Sequence, residues 1–245
     1  MINAAAKANI PQRNIFLFDD KKDKGIQPYS SLMLEEANPV EYLPEEVKST
    51  TAYIRYNSNN TNGKSKFIET THFDMVSNLS QMNACEVNIN SDAIFISVWP
   101  FFHAYGLGIF TYFTLIKGSL AVLMPEFDPS AFCKVVQEQK VNVIIVTPPI
   151  LSSLVDSKIA EKYNLSSLRL CISPAVSKKG LVEEFIKKFN VPVKQCHDLN
   201  EASPSTHLVK TVKASENSVL EYVGKLVSNV KYKVVSENEE RLGCE

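Results

Sequence analysis

From residue 93 onward the chain alternates short apolar runs with amphipathic stretches, and this rhythm restricts the fold more than any other feature. Residues 93–98, 120–124, 143–146, 168–172 and 192–196 are brief, apolar or rich in β-branched side chains, as strands covered on both faces require. Between them, residues 105–115, 129–140, 150–160 and 178–189 read as helices. The last is the plainest: Leu181, Val182, Phe185, Ile186 and Phe189 make one stripe, while Lys179, Glu183, Glu184, Lys187 and Lys188 face water. Such alternation predicts an α/β fold with a largely parallel sheet flanked by helices. Ligands of such sheets gather at the carboxyl ends of strands, so the residues that follow each run are the ones to inspect.

Upstream, an alternating run sets Ala52, Ile54 and Tyr56 against Tyr53 and Arg55, then enters a loop of Asn, Ser, Thr, Gly and Lys that ends at Lys66. Small polar residues permit unusual backbone angles, so successive N–H groups can face one concavity while hydroxyls and an ammonium add donors. That is a design for holding phosphate. Gly63, Lys64 and Ser65 close a Walker-type pattern in which Ser58 replaces the first glycine, which would put Lys64 on phosphates and Ser65 on magnesium. Taken alone, the same residues also describe an Asn-rich surface turn. Residues 73–85 read as a helix. The first 48 residues give a short Ala-rich helix, a strand at 15–18, a charged turn at 19–25 and a short helix near 30–37, broken by Pro39 and Pro44.

Twenty-six basic residues against 27 acidic ones leave a net charge of −1, which gives no electrostatic case for nucleic acid or an anionic membrane as partner. No apolar run reaches bilayer length, the first residues lack the apolar core of a signal peptide, and the final Leu-Gly-Cys-Glu is not a Ser-Lys-Leu address. A cytoplasmic protein is expected, with the peroxisome as the other compartment. Cys85, Cys133, Cys171, Cys196 and Cys244 are odd in number and form no Cys-x-x-Cys pair, so reduced thiols are expected rather than disulfides or zinc.

The loop resembles that of the adenylate-forming superfamily, the AMP-dependent synthetases and ligases that include acyl-CoA synthetases and 4-coumarate-CoA ligases. Their Ser-Ser-Gly-Thr-Thr-Gly-x-Pro-Lys-Gly-Val followed by Thr-His is matched at Ser58, Thr61, Gly63, Lys66, Thr71 and His72. Further resemblances follow in the same order. Phe102-His103-Ala-Tyr105-Gly106 is similar to Phe-His-x-Tyr-Gly, Thr147-Pro-Pro to Val-Pro-Pro, and Asn164-Leu-Ser-Ser-Leu-Arg169 to Asp-Leu-Ser-Ser-Leu-Arg. Ser173-Pro174-Ala175 stands for Ser-Gly-(Ala/Gly)-Ala, and Gln195-Cys196-His197-Asp198-Leu199-Asn200-Glu201-Ala202 for Gln-Gly-Tyr-Gly-Met-Thr-Glu-Ala. Val223-Gly-Lys-Leu226 and Glu240-Arg-Leu-Gly243 complete the series.

The resemblance implies that residues 1–245 are part of an adenylation large domain, without its first strands or the small C-terminal domain. It implies ATP-dependent activation of a small carboxylic acid as an acyl-adenylate and transfer to coenzyme A, with ATP, magnesium and coenzyme A as cofactors. Ser58, Thr61, Gly63 and Lys66 would hold the phosphates, Glu201 would bind magnesium, and Asn200 would reach the α-phosphate. His197 would stack on adenine beside Asp198, with Ser173, Pro174 and Ala175 lining the adenine and acyl side. His103, Tyr105 and Gly106 would border the acid pocket, whose wall Phe101, Phe102 and Tyr105 make apolar. Phe67, in a glycine's place, is expected to crowd an approaching phosphate. The alternatives are a truncated, inactive relative that binds a nucleotide or acyl group or serves as an interaction module, and a Walker-type nucleotidase.

Overall fold

The computed structural model describes residues 2–18, 25–33, 38–57, 65–86, 88–175, 178–199, 201, 205–208, 225–236 and 241–242. The chain divides into two units, Met1–Leu43 and Pro44–Glu245. In the first, helix α1 (Ile2–Lys7) and two short parallel strands, β1 (Phe16–Leu17) and β2 (Gln27–Pro28), gather Ala5, Ile15 and Ile26 with Leu17 into a small apolar cluster. Of the helix expected near 30–37, the described residues form a 3-10 turn over Tyr29–Leu32, and residues 34–37 lie outside the described residues. Tyr and Ser are weak helix formers, and Met33 is already extended. The charged turn at 19–25 lies outside the described residues except for Gly25, whose φ of +80° suits a residue without a side chain.

The second unit opens with an antiparallel hairpin. Strand β3 (Thr51–Asn57) pairs with β4 (Lys66–Thr71) in a sheet of their own, Asn57 opposite Lys66 and Arg55 opposite Ile68. A strand on this side of the polar loop is not marked in the sequence, where only six residues separate the loop from the next helix. Helix α2 (His72–Cys85) starts at once, because Thr71 Oγ1 accepts from Asp74 N–H at 3.1 Å and Asp74 Oδ2 accepts from Thr71 N–H at 3.0 Å. This reciprocal cap satisfies two N–H groups that the first turn would leave unpaired.

The main sheet contains β5 (Ile94–Ser97), β6 (Leu120–Leu123), β7 (Val143–Ile145), β8 (Leu170–Ser173), β9 (Val193–Asp198), β10 (Ser205–Leu208) and β11 (Lys225–Leu226). Among the described residues its order is β6-β5-β7-β8-β9-β10-β11, parallel from β6 through β9, with β10 and β11 added antiparallel. A separate antiparallel pair joins β12 (Val234–Val235) to β13 (Arg241–Leu242). The helices between the parallel strands begin with α3 (Ala104–Leu107), a π-helical stretch (Gly108–Phe113) and α4 (Thr114–Lys117) in unbroken succession. Then come α5 (Pro129–Gln139), α6 (Pro148–Asp156) and α7 (Lys179–Phe189).

Strand side chains alternate between two buried layers, as a period of two requires. Ile96, Ile144, Cys171 and Val193 pack with Phe132 and Val136 of α5, Leu151 and Leu154 of α6, and Val182, Phe185 and Ile186 of α7. Phe95, Val143, Ile145, Ile172 and Cys196 pack with Leu79 and Met82 of α2 and with Tyr105, Ile109, Phe110 and Phe113. Phe132 and Phe185 are fully buried, and each such burial contributes about 2–3 kcal/mol. Cys85, Cys133, Cys171 and Cys196 are free thiols, and burial pushes Cys133 up to about 11 and Cys171 higher still. Cys244 lies outside the described residues. No described helix is long and apolar enough to cross a membrane.

Position in the order decides where a ligand can go. From β5 the chain moves outward to β6, then returns past β5 to β7 and continues the other way through β8 and β9. The connections therefore reverse between β5 and β7, and at such a reversal a crevice opens above the carboxyl ends of the strands.

Candidate functional site

The crevice receives the turn after β5. Trp99 donates its indole N–H to the Ile145 carbonyl at 2.9 Å, tying the end of β5 to the end of β7. Its ring stacks on Tyr105, with centroids 5.1 Å apart, and leans on His103 at 4.9 Å. His103 caps the following helix: its Nδ1 accepts from the Tyr105 backbone N–H at 3.2 Å. An imidazole whose Nδ1 is an acceptor carries its proton on Nε2, so the second nitrogen is left to donate. Burial, reinforced by the guanidinium of Arg55, holds the His103 pKa below its ordinary 6.5, which keeps the ring neutral at pH 7.

Gly106 has a structural reason to be glycine. A Cβ there would lie 2.1 Å from the Pro100 carbonyl oxygen, so only a bare Cα lets the helix pack onto the turn before it. The apolar wall forecast from Phe101, Phe102 and Tyr105 is reduced to Tyr105. Phe102 is 84% exposed and Phe101 is 44% exposed, because the tight turn closed by His103 N–H to Pro100 C=O at 2.9 Å carries both outward.

The hairpin supplies cations. Arg55, Lys66, Ile68 and Thr70 share one face of it, while Ile54, Tyr56, Phe67 and Glu69 share the other, exposed one. The alternation read from the sequence is thus inverted: the apolar side chains Ile54 and Tyr56 face water and half-buried Arg55 faces inward. Phe67 is exposed on the outer face, in ring contact with Tyr56 at 5.4 Å, and is turned away from Lys66. On the inner face the Lys66 ammonium forms an ion pair with the Glu201 carboxylate. The hydrogen bond from Lys66, aided by the charges of Lys66 and Arg55, holds the Glu201 pKa below its ordinary 4.5. Arg55 donates to Thr70 Oγ1 at 3.3 Å, and burial pulls its pKa down while Tyr53 and Glu201 oppose that. Nothing in the sequence alone marked Arg55, since a charged residue in an alternating strand ordinarily faces solvent.

Strands β8 and β9 complete the rim. Ser173 is fully buried at the end of β8, and its hydroxyl donates to the Ala175 carbonyl at 3.0 Å; Pro174 is half-buried and Ala175 exposed. On β9, Cys196 Sγ lies 3.1 Å from Tyr105 Oη and donates to the Ser173 carbonyl at 3.6 Å. His197 follows, half-buried, then Asp198, of which the backbone alone is described, and Glu201. Contacts thus link Lys66 to Glu201 on one side and His103, Trp99, Tyr105, Cys196 and Ser173 in series on the other, while the charge of Arg55 acts on both Glu201 and His103. Ser58, Thr61, Gly63 and Asn200 lie outside the described residues. Among the described residues no three His, Cys, Asp or Glu side chains gather to cage a metal. Magnesium is commonly held by one or two carboxylates together with substrate phosphates, and Glu201 fits as that single carboxylate.

The hairpin also separates the two phosphate-loop designs. A Walker loop runs from a strand directly into a helix, whereas this loop joins two antiparallel strands. Ser65, its expected magnesium ligand, instead receives a hydrogen bond from Tyr56 Oη at 2.7 Å on the outer face.

A family model described as AMP-binding enzyme matches residues 3–244, and the chain belongs to that family. It is similar to a probable 4-coumarate-CoA ligase of Dictyostelium discoideum, with 32% identity over 202 residues, 80% of this chain and 36% of the relative. The chain thus spans about a third of the length of the curated relatives it matches. Its fold is similar to the N-terminal domain of FACL13 from Mycobacterium tuberculosis, with a TM-score of 0.68, 21% identity and coverage of 78% of this chain and 47% of that one. It also matches O-succinylbenzoate coenzyme A synthetase from Bacillus subtilis, determined with ATP and magnesium ion: TM-score 0.66, 20% identity, 79% of this chain and 39% of that one. At these identities the likeness to the two structures is one of fold.

Proposed function

We propose that the chain provides the triphosphate and acid sites of an ATP-dependent acid-CoA ligase. In the first half-reaction an oxygen of the acid's carboxylate attacks the α-phosphorus and pyrophosphate leaves. In the second, the thiol of coenzyme A attacks the acyl carbonyl and AMP leaves. Both steps concentrate negative charge, so the protein's task is to place cations and N–H donors where that charge develops.

The observation that carries this reading is the ion pair of Lys66 and Glu201, which joins the end of the polar loop to the segment after β9. With both side chains about two-fifths exposed, such a pair is worth about 0–1 kcal/mol. A triphosphate, far more densely charged, displaces it at little cost: Lys66 turns to the β- and γ-phosphates and releases Glu201. Glu201 and the phosphate oxygens would hold magnesium, which draws charge from the departing pyrophosphate. Ser58, Thr61 and Gly63 add loop donors to the phosphates, and Asn200 takes the α-phosphate. His197 stacks on adenine beside Asp198, with Ser173, Pro174 and Ala175 along the adenine and acyl edge. Neutral His103 offers Nε2–H to the acid's carboxylate, Tyr105 and Gly106 border its pocket, and Arg55 adds a second positive charge near Glu201. The names of the coenzyme A ligase relatives support the same reading.

Pyrophosphate release and hydroxamate trapping, with ATP, magnesium and a panel of acids, test it. Turnover that falls at least a hundredfold in Glu201→Gln and in Lys66→Met supports the assignment. Release that is indifferent to both substitutions, or absent across the panel, contradicts it.

A further inference from the structure

A cavity of about 30 Å³ lies between the sheet, α2 and the π-helical stretch, walled by Met82, Ile109, Phe113 and Ile172 among others. Tyr105 and Cys196 line it on the side of the site and are hydrogen-bonded to each other at 3.1 Å. Glu86 also borders it, and its carboxylate accepts from Lys194, two residues before Cys196 on β9, at 2.6 Å. The polar atoms around the space are thus occupied with one another, and what faces inward is carbon. A space of this kind favours an apolar occupant.

Size narrows the occupant further. One water-sized group needs about 10–15 Å³, so the cavity has room for about two or three. An apolar cavity that accepts benzene is larger, about 150 Å³. A longer or ring-bearing tail would have to part Tyr105 from Cys196 and leave both without that bond in an apolar wall, which is costly. We propose that the acid taken by this site is a short aliphatic one of about three or four carbons. On this proposal, which rests on the ligase reading above, its carboxylate meets His103, its tail fills the cavity, and Tyr105 and Cys196 set the length limit.

Trp99 reports on the site, since it is the chain's one tryptophan and stacks on Tyr105. The full chain, with ATP and magnesium present, is titrated with butanoate, hydrocinnamate and dodecanoate, following Trp99 fluorescence and, in parallel, heat; ATP is titrated separately. Butanoate binding at least tenfold tighter than the other two supports the proposal. In Met82→Ala, and independently in Cys196→Ala, hydrocinnamate should then gain at least tenfold on butanoate. Hydrocinnamate or dodecanoate binding as tightly as butanoate overturns the proposal while ATP binding leaves the ligase reading intact. If ATP binds and no acid does, the proposal falls together with the acid site of the ligase reading, and the triphosphate site alone stands. If ATP also fails to bind, the ligase reading falls and this inference with it.

Discussion

At the scale of single residues, the chemistry rests on charges that hold one another in check. Glu201 has a depressed pKa chiefly because Lys66 donates to it. Lys66→Met should move the Glu201 carboxyl back toward its ordinary value, read by carbon NMR of the labelled side chain. The sign of the linked stability follows: a carboxylate whose folded pKa lies below its unfolded value stabilises the fold above the unfolded value, near 4.5, and loses that contribution as pH falls through the folded one. Exposure keeps the effect under about 1 kcal/mol. His103 is held down mainly by burial and secondarily by Arg55, so Arg55→Met should raise its pKa only part of the way to 6.5, measured by proton NMR titration. A fall, or no change, would separate Arg55 from the site. His103 and Tyr105 were legible through the spacing of Phe-His-x-Tyr-Gly after a strand. Arg55 was not, because periodicity assigns faces by polarity, and here the face that meets Glu201 is the polar one.

At the scale of elements, most of the framework was written in hydrophobic pattern. The five parallel strands fall within two residues of the expected runs, because each feeds apolar side chains into two buried layers at once. Helix α7 was plainest for the same reason, its stripe meeting β8 and β9. Strand β4 was invisible, since it buries only Ile68 and Thr70 fully and owes its place to pairing with β3. The site's loop is therefore a hairpin connection, which the residues of the loop did not disclose. Thr71, matched as part of a family motif, has a local cause in the cap of α2. The buried pair of Glu86 and Lys194, each about a tenth exposed, also ties α2 to β9. Removing one partner strands a charge, so Glu86→Ala should cost about 3–5 kcal/mol in urea unfolding. Glu86→Leu combined with Lys194→Met should cost far less. Equal loss in the single and double variants would mean the pair does not act as a unit.

At the scale of the whole molecule, parallel strands bring together residues that lie far apart in the chain. Reversal of the connections between β5 and β7 opens the crevice, β8 and β9 carry the rim, and the hairpin brings its cations to Glu201. Membership of the AMP-binding family was readable from ordered motifs without coordinates, whereas the meeting of Lys66 with Glu201 is a property of the fold. The most direct test is calorimetric titration of the chain with ATP, with and without magnesium, in the native protein, Lys66→Met and Glu201→Gln. ATP should bind the native chain more tightly with magnesium, Lys66→Met should weaken it at least tenfold, and Glu201→Gln should remove the gain from magnesium. Affinities that are the same in all three proteins, or no binding to any, would contradict a triphosphate site between the hairpin and the end of β9.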